Sequence, residues 1–229
     1  MNEAKFISKI FEGQLLHYLL LTLLVFIISW FIKFEDFKSG IFLGVPTSSW
    51  ITLVVLNAVT HQIYVWFCWR VELHEKLLTR WFRKKAFRLY AFGFAVLIIF
   101  RPLLAFFLGW SNRNTLPINS LTSYTLSVIC FCLTAYLMYS VVNYFSFKRA
   151  FGIDHFEIKY KDIPFERRGI FRITPNAMYV FGFLALWLPA FLFQSFAALI
   201  LAIFSHIYIW VHYFTTEKPD MKSIYGKED

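Results

Sequence analysis

Cysteine is scarce in this chain of 229 residues, and the motifs of the common soluble enzymes are missing. The three cysteines, Cys68, Cys130 and Cys132, all lie in apolar runs, and none has a C-x-x-C or other spacing that suits zinc. There is no G-x-G-x-x-G fingerprint, P-loop, G-x-S-x-G elbow or H-E-x-x-H. We therefore expect no metal site, and neither a soluble nucleotide-binding fold nor a common hydrolase is indicated.

Charge is missing from a long C-terminal stretch, because residues 173–216 contain no Asp, Glu, Lys or Arg. These 44 residues are too many for one membrane helix and suit two, since a helix needs ~20 residues to cross a bilayer. The stretch predicts a helical hairpin that turns near Leu188, Pro189 and Gln194. The two charged ends of the hairpin would then return to the same membrane face.

The sequence is rich in apolar and aromatic residues. Hydrophobic residues make up 59% of the chain and aromatic residues 21%, whereas a soluble domain is nearer half apolar. Long continuous apolar runs favour helices over a barrel, whose strands would alternate at period two. We predict an all-α, polytopic membrane helical bundle of about six transmembrane segments, in which the last two form the hairpin.

Two regions are expected along the chain. Residues 1–145 would hold membrane helices 1 to 4, and residues 146–229 would hold a cytosolic loop, the hairpin and a tail. The first apolar run lacks a small-residue cleavage site, so it predicts a retained helix rather than a signal peptide. The first four helices are predicted at about 15–32, 50–69, 89–110 and 121–145.

The net charge of +9 comes from basic residues that flank the membrane segments rather than forming a separate nucleic-acid-binding domain. Seven Lys and Arg lie in 70–88 and seven in 146–175, but only one in 34–49 and one in 111–119. The positive-inside rule then predicts cytosolic N- and C-termini, in a bacterial inner membrane or the endoplasmic reticulum. Aromatic residues alternate with the Lys and Arg residues of 70–88, and this pattern predicts an interfacial amphipathic helix.

The first candidate motif is RGIFRITPNAMY, at the start of the hairpin. Thr174 and Pro175 read as an N-cap and first helical position, which places Asn176 and Tyr179 in the first turns. A helix N-terminus offers free N–H groups and a positive dipole, so it suits a carboxylate or phosphate. The alternative is a well-capped interfacial helix with a tyrosine in the aromatic belt.

The second candidate motif lies at the other end of the hairpin. His206, Trp210, Tyr213 and Glu217 are spaced 4, 3 and 4 residues apart, so one helix face would carry them. A carboxylate beside aromatic rings can hold a cation by charge and by cation–π contact. Alternatively, the aromatic residues belong to the membrane belt, His206 is a core polar group and Glu217 is a solvated helix end. His212 lies off this face.

Two further sites remain open from the sequence. Arg101 precedes Pro102 about halfway along helix 3, where a charge usually faces protein, water or a ligand. It is either a phosphate partner or a residue paired at a helix break. Asp154 and His155 in the cytosolic loop suit proton transfer or a metal, but two ligands alone equally describe a solvated loop.

Together, the two motifs resemble the C-terminal signature of the membrane-embedded S-adenosylmethionine-dependent methyltransferases. This superfamily includes phosphatidylethanolamine N-methyltransferases and isoprenylcysteine carboxyl methyltransferases. The chain departs from the family pattern at Pro175, Ala177 and Lys218, and Gly182 lies one residue late. The matching residues are Gly169, Ile170, Phe171, Arg172, Asn176, Met178 and Tyr179, followed by Glu217, Pro219, Asp220, Met221, Tyr225 and Gly226.

The resemblance implies that the hairpin and tail enclose S-adenosylmethionine, with a membrane lipid entering from the bilayer. Arg101 or Arg172 would hold a lipid phosphate, and the expected bases are His212, His206 and Asp220. The residues expected at the cofactor are Asn176, Tyr179, Gly182, Trp210, Tyr213 and Glu217.

The expected reaction is methyl transfer to a lipid amine, most simply phosphatidylethanolamine or its methylated derivatives. Three alternatives remain. A carboxyl methyltransferase of prenylated cysteine would need a groove for the prenyl tail and no base. A membrane reductase sharing the helical core is disfavoured, because nothing indicates a nicotinamide site. A non-catalytic membrane scaffold would bind no cofactor.

Overall fold

A computed structural model describes residues 3–226, which are mainly helical. A short antiparallel pair, β1 (Ile41–Phe42) and β2 (Val45–Pro46), is the one sheet in this part of the chain. The α-helices are α1 (Glu3–Ile10), α2 (Gln14–Phe31), α3 (Glu35–Lys38), α4 (Thr47–Glu75), α5 (Leu77–Phe82), α6 (Ala86–Ser111), α7 (Ser120–Ser140), α8 (Phe147–Ala150), α9 (Leu184–Leu192), α10 (Phe196–His212) and α11 (Lys218–Tyr225).

The predicted all-α polytopic bundle is confirmed. Within residues 3–226, five helical segments are long and apolar enough to cross a membrane, and a sixth apolar segment, Met178–Leu192, is shorter. At 1.5 Å per residue this sixth segment spans about 22 Å, less than the ~30 Å hydrocarbon core. The five long segments are Ile7–Phe31, Thr47–Glu75, Leu77–Ser111, Ser120–Phe145 and Phe196–Tyr225.

The hairpin turns at the last of the three residues that the sequence predicted. Leu188 and Pro189 lie inside α9, and the turn is at Gln194, whose φ of 51° is left-handed. The side chain of Ser195 then caps α10 by accepting from the N–H of Ala198 at 3.1 Å. Asn112, at the end of α6, accepts from another free N–H group at the start of α10 through Oδ1. These caps satisfy the first N–H groups of α10. They therefore stabilise the start of α10 directly after the turn of the hairpin.

The hairpin's second arm, α10, is the central helix of the bundle. It packs against α2, α4, α6 and α9. Small residues lie at these contacts. Among them, Ala190, Ala197 and Ala198 are at most 2% exposed. Small side chains let membrane helices approach closely, which strengthens their packing where lipid supplies no hydrophobic drive. The position of α10 fixes where the tail after it emerges.

Helix α4 continues past its predicted end at Trp69 to Glu75. The extra turns bury Arg70 and Glu72, and the left-handed Lys76, with φ 54°, ends the helix. The interfacial helix predicted over 70–88 is correspondingly reduced to α5 and a 3₁₀ turn at Arg83–Lys85. Hydropathy alone ends α4 at Trp69, before the charge of Arg70, because it cannot show that this charge has a buried partner.

Candidate active site

The two motifs meet at a wide cleft of ≈2140 Å³ at one end of the bundle. Ligand pockets are typically about 300–1,000 Å³, so the cleft has room for a cofactor together with a lipid headgroup. We call it the polar cleft. It is lined by Arg172, Asn176 and Tyr179 from the first motif, Tyr213 and Glu217 from the second, and parts of the loop between 144 and 168.

Aromatic rings join the two motifs. The ring centroid of Tyr179 lies 5.6 Å from that of Tyr213 and 5.8 Å from that of Trp210, both in edge-to-face geometry. Such aromatic pairs stabilise a contact beyond the area they bury. Trp210 supports the cleft from behind Tyr179 and Tyr213, whereas the two tyrosines lie in its lining.

Both motifs contain a π-helical turn, at Met178–Gly182 and at Tyr213–Glu217. A π turn bonds residue i to i+5 and rotates the next residues relative to an α-helix, and such turns are frequent at functional sites. The π turn therefore interrupts the predicted face between Tyr213 and Glu217, whereas His206 lies about two turns deeper in the regular helix α10. Tyr213 and Glu217 line the cleft, but His206 does not.

Glu217 is the carboxylate of the second motif, and one of its oxygens is unpaired. Its Oε2 is buried and has no hydrogen-bond partner among the described residues. Burying an unpaired carboxylate oxygen costs free energy unless a partner arrives. Glu217 shares the cleft lining with Tyr213 and Tyr179, and a carboxylate in the same lining as aromatic rings suits a bound cation.

The start of the hairpin differs in detail from the prediction. Thr174 Oγ1 accepts from the N–H of Asn176 at 3.2 Å, but the π-helical turn begins only at Met178 and the regular helix α9 at Leu184. Asn176 and Tyr179 still line the cleft. Gly182 does not, because it packs against α7, where an added Cβ would lie 3.0 Å from Leu137. Gly182 is therefore a packing residue in this structure rather than part of the cleft.

None of the three predicted bases lines the polar cleft. His206 lies between α9 and α10, where its Nδ1 accepts from Trp187 Nε1 at 3.1 Å. His212 is buried within the bundle, 6.0 Å from the Trp69 ring, and its two ring nitrogens have no partner among the described residues. Asp220 is 1% exposed and engaged by other side chains. Helical spacing could not distinguish these interior positions from the cleft wall.

Arg101 lies apart from the cleft, inside the bundle. The α6 helix continues through Pro102, so the alternative of a helix break is wrong. The guanidinium nitrogens of Arg101 have no hydrogen-bond partner within the described residues, and they face a cavity of ≈10 Å³ shared with Asn57 and Ser205. This volume holds about one water molecule and is too small for a phosphate. Arg172 instead lies in the cleft and is exposed.

The sequence did not identify the polar network in and behind the wall of the cleft. Arg70 Nε lies 2.6 Å from Asp220 Oδ1, and His155 Nε2 lies 3.5 Å from Asp220 Oδ2. Tyr225 donates its O–H to Asp154 Oδ2 at 2.8 Å. Asp154, His155 and Tyr225 line the cleft, and Arg70 lies behind them. The available signal at Arg70 is a charge just after an apolar run, a pattern that equally predicts the start of a loop.

The carboxylates of the network change the protonation of its histidine. Burial would lower the pKa of His155, but Asp154 and Asp220 outweigh it and raise the pKa to about 9. Burial by itself would raise the pKa of the Asp154 carboxyl, but the hydrogen bond and charge of His155 lower this pKa. At neutral pH, His155 is therefore a cation between two carboxylates.

The polar cleft of this helical bundle thus combines an unpaired carboxylate, aromatic rings and an exposed guanidinium, which are groups that suit charged ligands. Residues 122–228, which contain both motifs, match the model of the phospholipid methyltransferase family. The match confirms the resemblance to membrane-embedded methyltransferases. No curated protein and no solved structure matches the chain. The family implies methyltransferase activity and hence a methyl donor.

Proposed function

We propose that this protein transfers a methyl group from S-adenosylmethionine to the amine of a membrane phospholipid in the polar cleft. The simplest acceptor is phosphatidylethanolamine or one of its methylated derivatives. The observation that carries the proposal is the meeting of both motifs at one cleft, with Glu217 unpaired and Arg172 exposed. The family match supports the reaction class.

The residues present fit the proposed donor. Glu217, Tyr213 and Tyr179 offer a carboxylate and ring faces to a sulfonium, and the buried Oε2 of Glu217 has no partner among residues 3–226. Asn176, before the first helical turn, can donate to the carboxylate at the other end of the donor. When bound, S-adenosylmethionine supplies an electrophilic methyl group on its sulfonium.

The acceptor would use the other side of the cleft. Arg172 is exposed there and forms no ion pair with another described residue, so its guanidinium can bind a lipid phosphate. The cleft walls would hold the amine nitrogen in line with the reacting methyl, which supplies much of the rate. Because His206, His212 and Asp220 lie outside the lining, we propose that the ammonium proton passes to water in the open cleft.

The proposal includes an orientation for the protein. We propose that it is integral to a bacterial inner membrane or to the endoplasmic reticulum, with both termini in the cytosol. The basic residues of 70–88 and 146–175 support this sidedness. The cleft, which includes loop residues between 144 and 168, would then open to the cytosol, where a soluble donor can reach it.

A methyl-transfer assay on the purified protein tests the function. Protein in detergent or vesicles is given methyl-radiolabelled S-adenosylmethionine and a defined acceptor, and the lipid fraction is counted. We expect label on phosphatidylethanolamine or its methylated forms, and none on phosphatidylglycerol, which has no amine. Label on a prenylated cysteine substrate instead would support the carboxyl methyltransferase alternative. Absence of both donor binding and transfer would support the scaffold.

A further inference from the structure

Arg70 connects the first half of the chain to the tail on both sides of Glu217. It lies near the end of α4, outside the family-matched segment, and is fully buried. Its Nη2 donates to the backbone oxygens of Thr215 and Thr216 at 3.5 and 3.4 Å. Its Nε lies 2.6 Å from Asp220 Oδ1. One guanidinium therefore holds the chain just before Glu217 and again three residues after it.

His155 holds the same carboxylate from the opposite side. Its Nε2 lies 3.5 Å from Asp220 Oδ2, and its Nδ1 lies 3.5 Å from Asp154 Oδ1. The imidazole stacks on Trp69 of α4, with the ring centroids 4.1 Å apart and the planes 17° apart. Asp154 also accepts from Tyr225 at the end of α11. The loop, the tail and α4 are thereby joined through one histidine.

The loop backbone is fitted closely to α4, which makes this contact specific. At Gly152, φ is +75°, and an added Cβ would lie 2.4 Å from the indole of Trp69. Lys76 donates from Nζ to the backbone oxygens of His155 and Phe156 at 3.1 and 3.4 Å. Lys76 thus anchors the loop from its backbone side, whereas the side chain of His155 reaches the tail.

We infer that Arg70 and His155 are positioning residues, which hold Asp220 between them and thereby fix Glu217 in the wall of the polar cleft. The inference rests on the proposed function, because it assigns Glu217 to the donor. It gives Asp220 a structural task in place of the catalytic one expected from the sequence. It also makes the N-terminal half, which the family match does not cover, a contributor to the donor site.

Protonation of His155 supports this arrangement. A pKa raised to about 9, from the ordinary value of 6.5, means that the attraction to both carboxylates is fully present below about 6.5. It is lost as the pH rises through about 9. The loop and tail should therefore loosen in alkaline solution. The charged or titratable groups that face His155 are Asp154, Asp220 and Glu217, with Arg70, Lys76 and His212 nearby.

Equilibrium binding of S-adenosylmethionine to purified protein tests the inference. Arg70→Lys keeps the charge but loses the fork that reaches both sides of Glu217. His155→Gln keeps the polarity but loses the charge. We expect each to weaken donor binding roughly tenfold, with the acceptor KM changed by less than about twofold. Lys76→Met is the matched control, because it removes a loop anchor without touching the tail, and it should change donor binding by less than about threefold.

The pH profile separates positioning from a general loss of structure. Wild-type donor affinity should fall as the pH passes about 9, whereas His155→Gln should show a weak and pH-independent affinity in that range. Thermal melting and circular dichroism check that each variant is folded. If Arg70→Lys does not fold, His155→Gln alone tests the inference.

Three outcomes would each overturn either the proposed function or the positioning inference. If wild type binds no donor, the proposed function fails. If wild type binds while Arg70→Lys and His155→Gln bind equally well, only the positioning inference fails. If Lys76→Met loses as much affinity as His155→Gln, loop docking rather than the contact with Asp220 is responsible, and the inference is again wrong.

Discussion

Replacing Glu217 by glutamine should weaken S-adenosylmethionine binding by roughly ten- to a hundred-fold, at ~1.4 kcal/mol per decade. Glutamine keeps the shape but removes the negative charge that Glu217, once ionised, would offer to a sulfonium through its unpaired Oε2. At a separation of ~4 Å and an effective dielectric of ~20, that attraction is worth up to about 4 kcal/mol before desolvation is subtracted. Calorimetric titration of both proteins measures the difference.

The product analogue S-adenosylhomocysteine is the internal control for Glu217→Gln, because its sulfur carries no charge and its affinity should change less. Glu157→Gln is the control for removing a carboxylate elsewhere, since Glu157 lies outside the cleft lining and pairs with Lys159. Equal losses for both ligands would show that Glu217 does not act through attraction to the sulfonium, which would contradict its assigned role.

The second large effect is expected at Arg172. Arg172→Gln should raise the acceptor KM by roughly tenfold and leave donor affinity within about twofold, because a hydrogen bond to a charged group is worth ~1.5–3 kcal/mol and exposure reduces this. Initial rates at saturating donor, with phosphatidylethanolamine varied as a surface fraction, measure the change. A long-chain amine without a phosphate should be methylated equally by wild type and variant.

Arg168 provides the matched control for Arg172, since both line the cleft. Its guanidinium is already held by Glu166, with Nε and Nη2 each donating to a carboxylate oxygen at 2.9 Å. Hydrogen bonds from Arg168 lower the pKa of Glu166 to about 2, so this pair stays ionised at neutral pH. Arg168→Gln should therefore leave the acceptor KM nearly unchanged. Equal effects of the two substitutions would indicate a general positive potential instead of a phosphate contact.

Local sequence patterns were sufficient to predict the positions of the long apolar helices and the meeting of the two motifs. Long uncharged runs have few stable forms in a bilayer, and an uncharged stretch of two helix lengths must return its ends to one side. The structure has both motifs at one cleft, with Tyr179 5.6 Å from Tyr213. The role of each of these residues stays a prediction.

The end of α4 and the exact lining of the cleft could not be predicted, because they depend on contacts that no local pattern shows. Hydropathy ends α4 at Trp69, before Arg70, whose charge is matched by Asp220, far along the chain in the tail. The 4, 3 and 4 spacing assumes a regular α-helix, but a π turn occupies Tyr213–Glu217, and spacing alone does not show that His206 lies deeper along α10 than the cleft. Arg101 was rightly expected in the interior, but its cavity of ≈10 Å³ lies away from the cleft.

The central claim is that S-adenosylmethionine binds between the two motifs. Photo-crosslinking of radiolabelled S-adenosylmethionine to the purified protein, with peptide mapping of the label, tests it most directly. We predict that label will be found in peptides spanning 172–182 or 213–225, and that excess S-adenosylhomocysteine will remove it. Label confined to residues 1–121, or label that S-adenosylhomocysteine does not displace, would contradict the account.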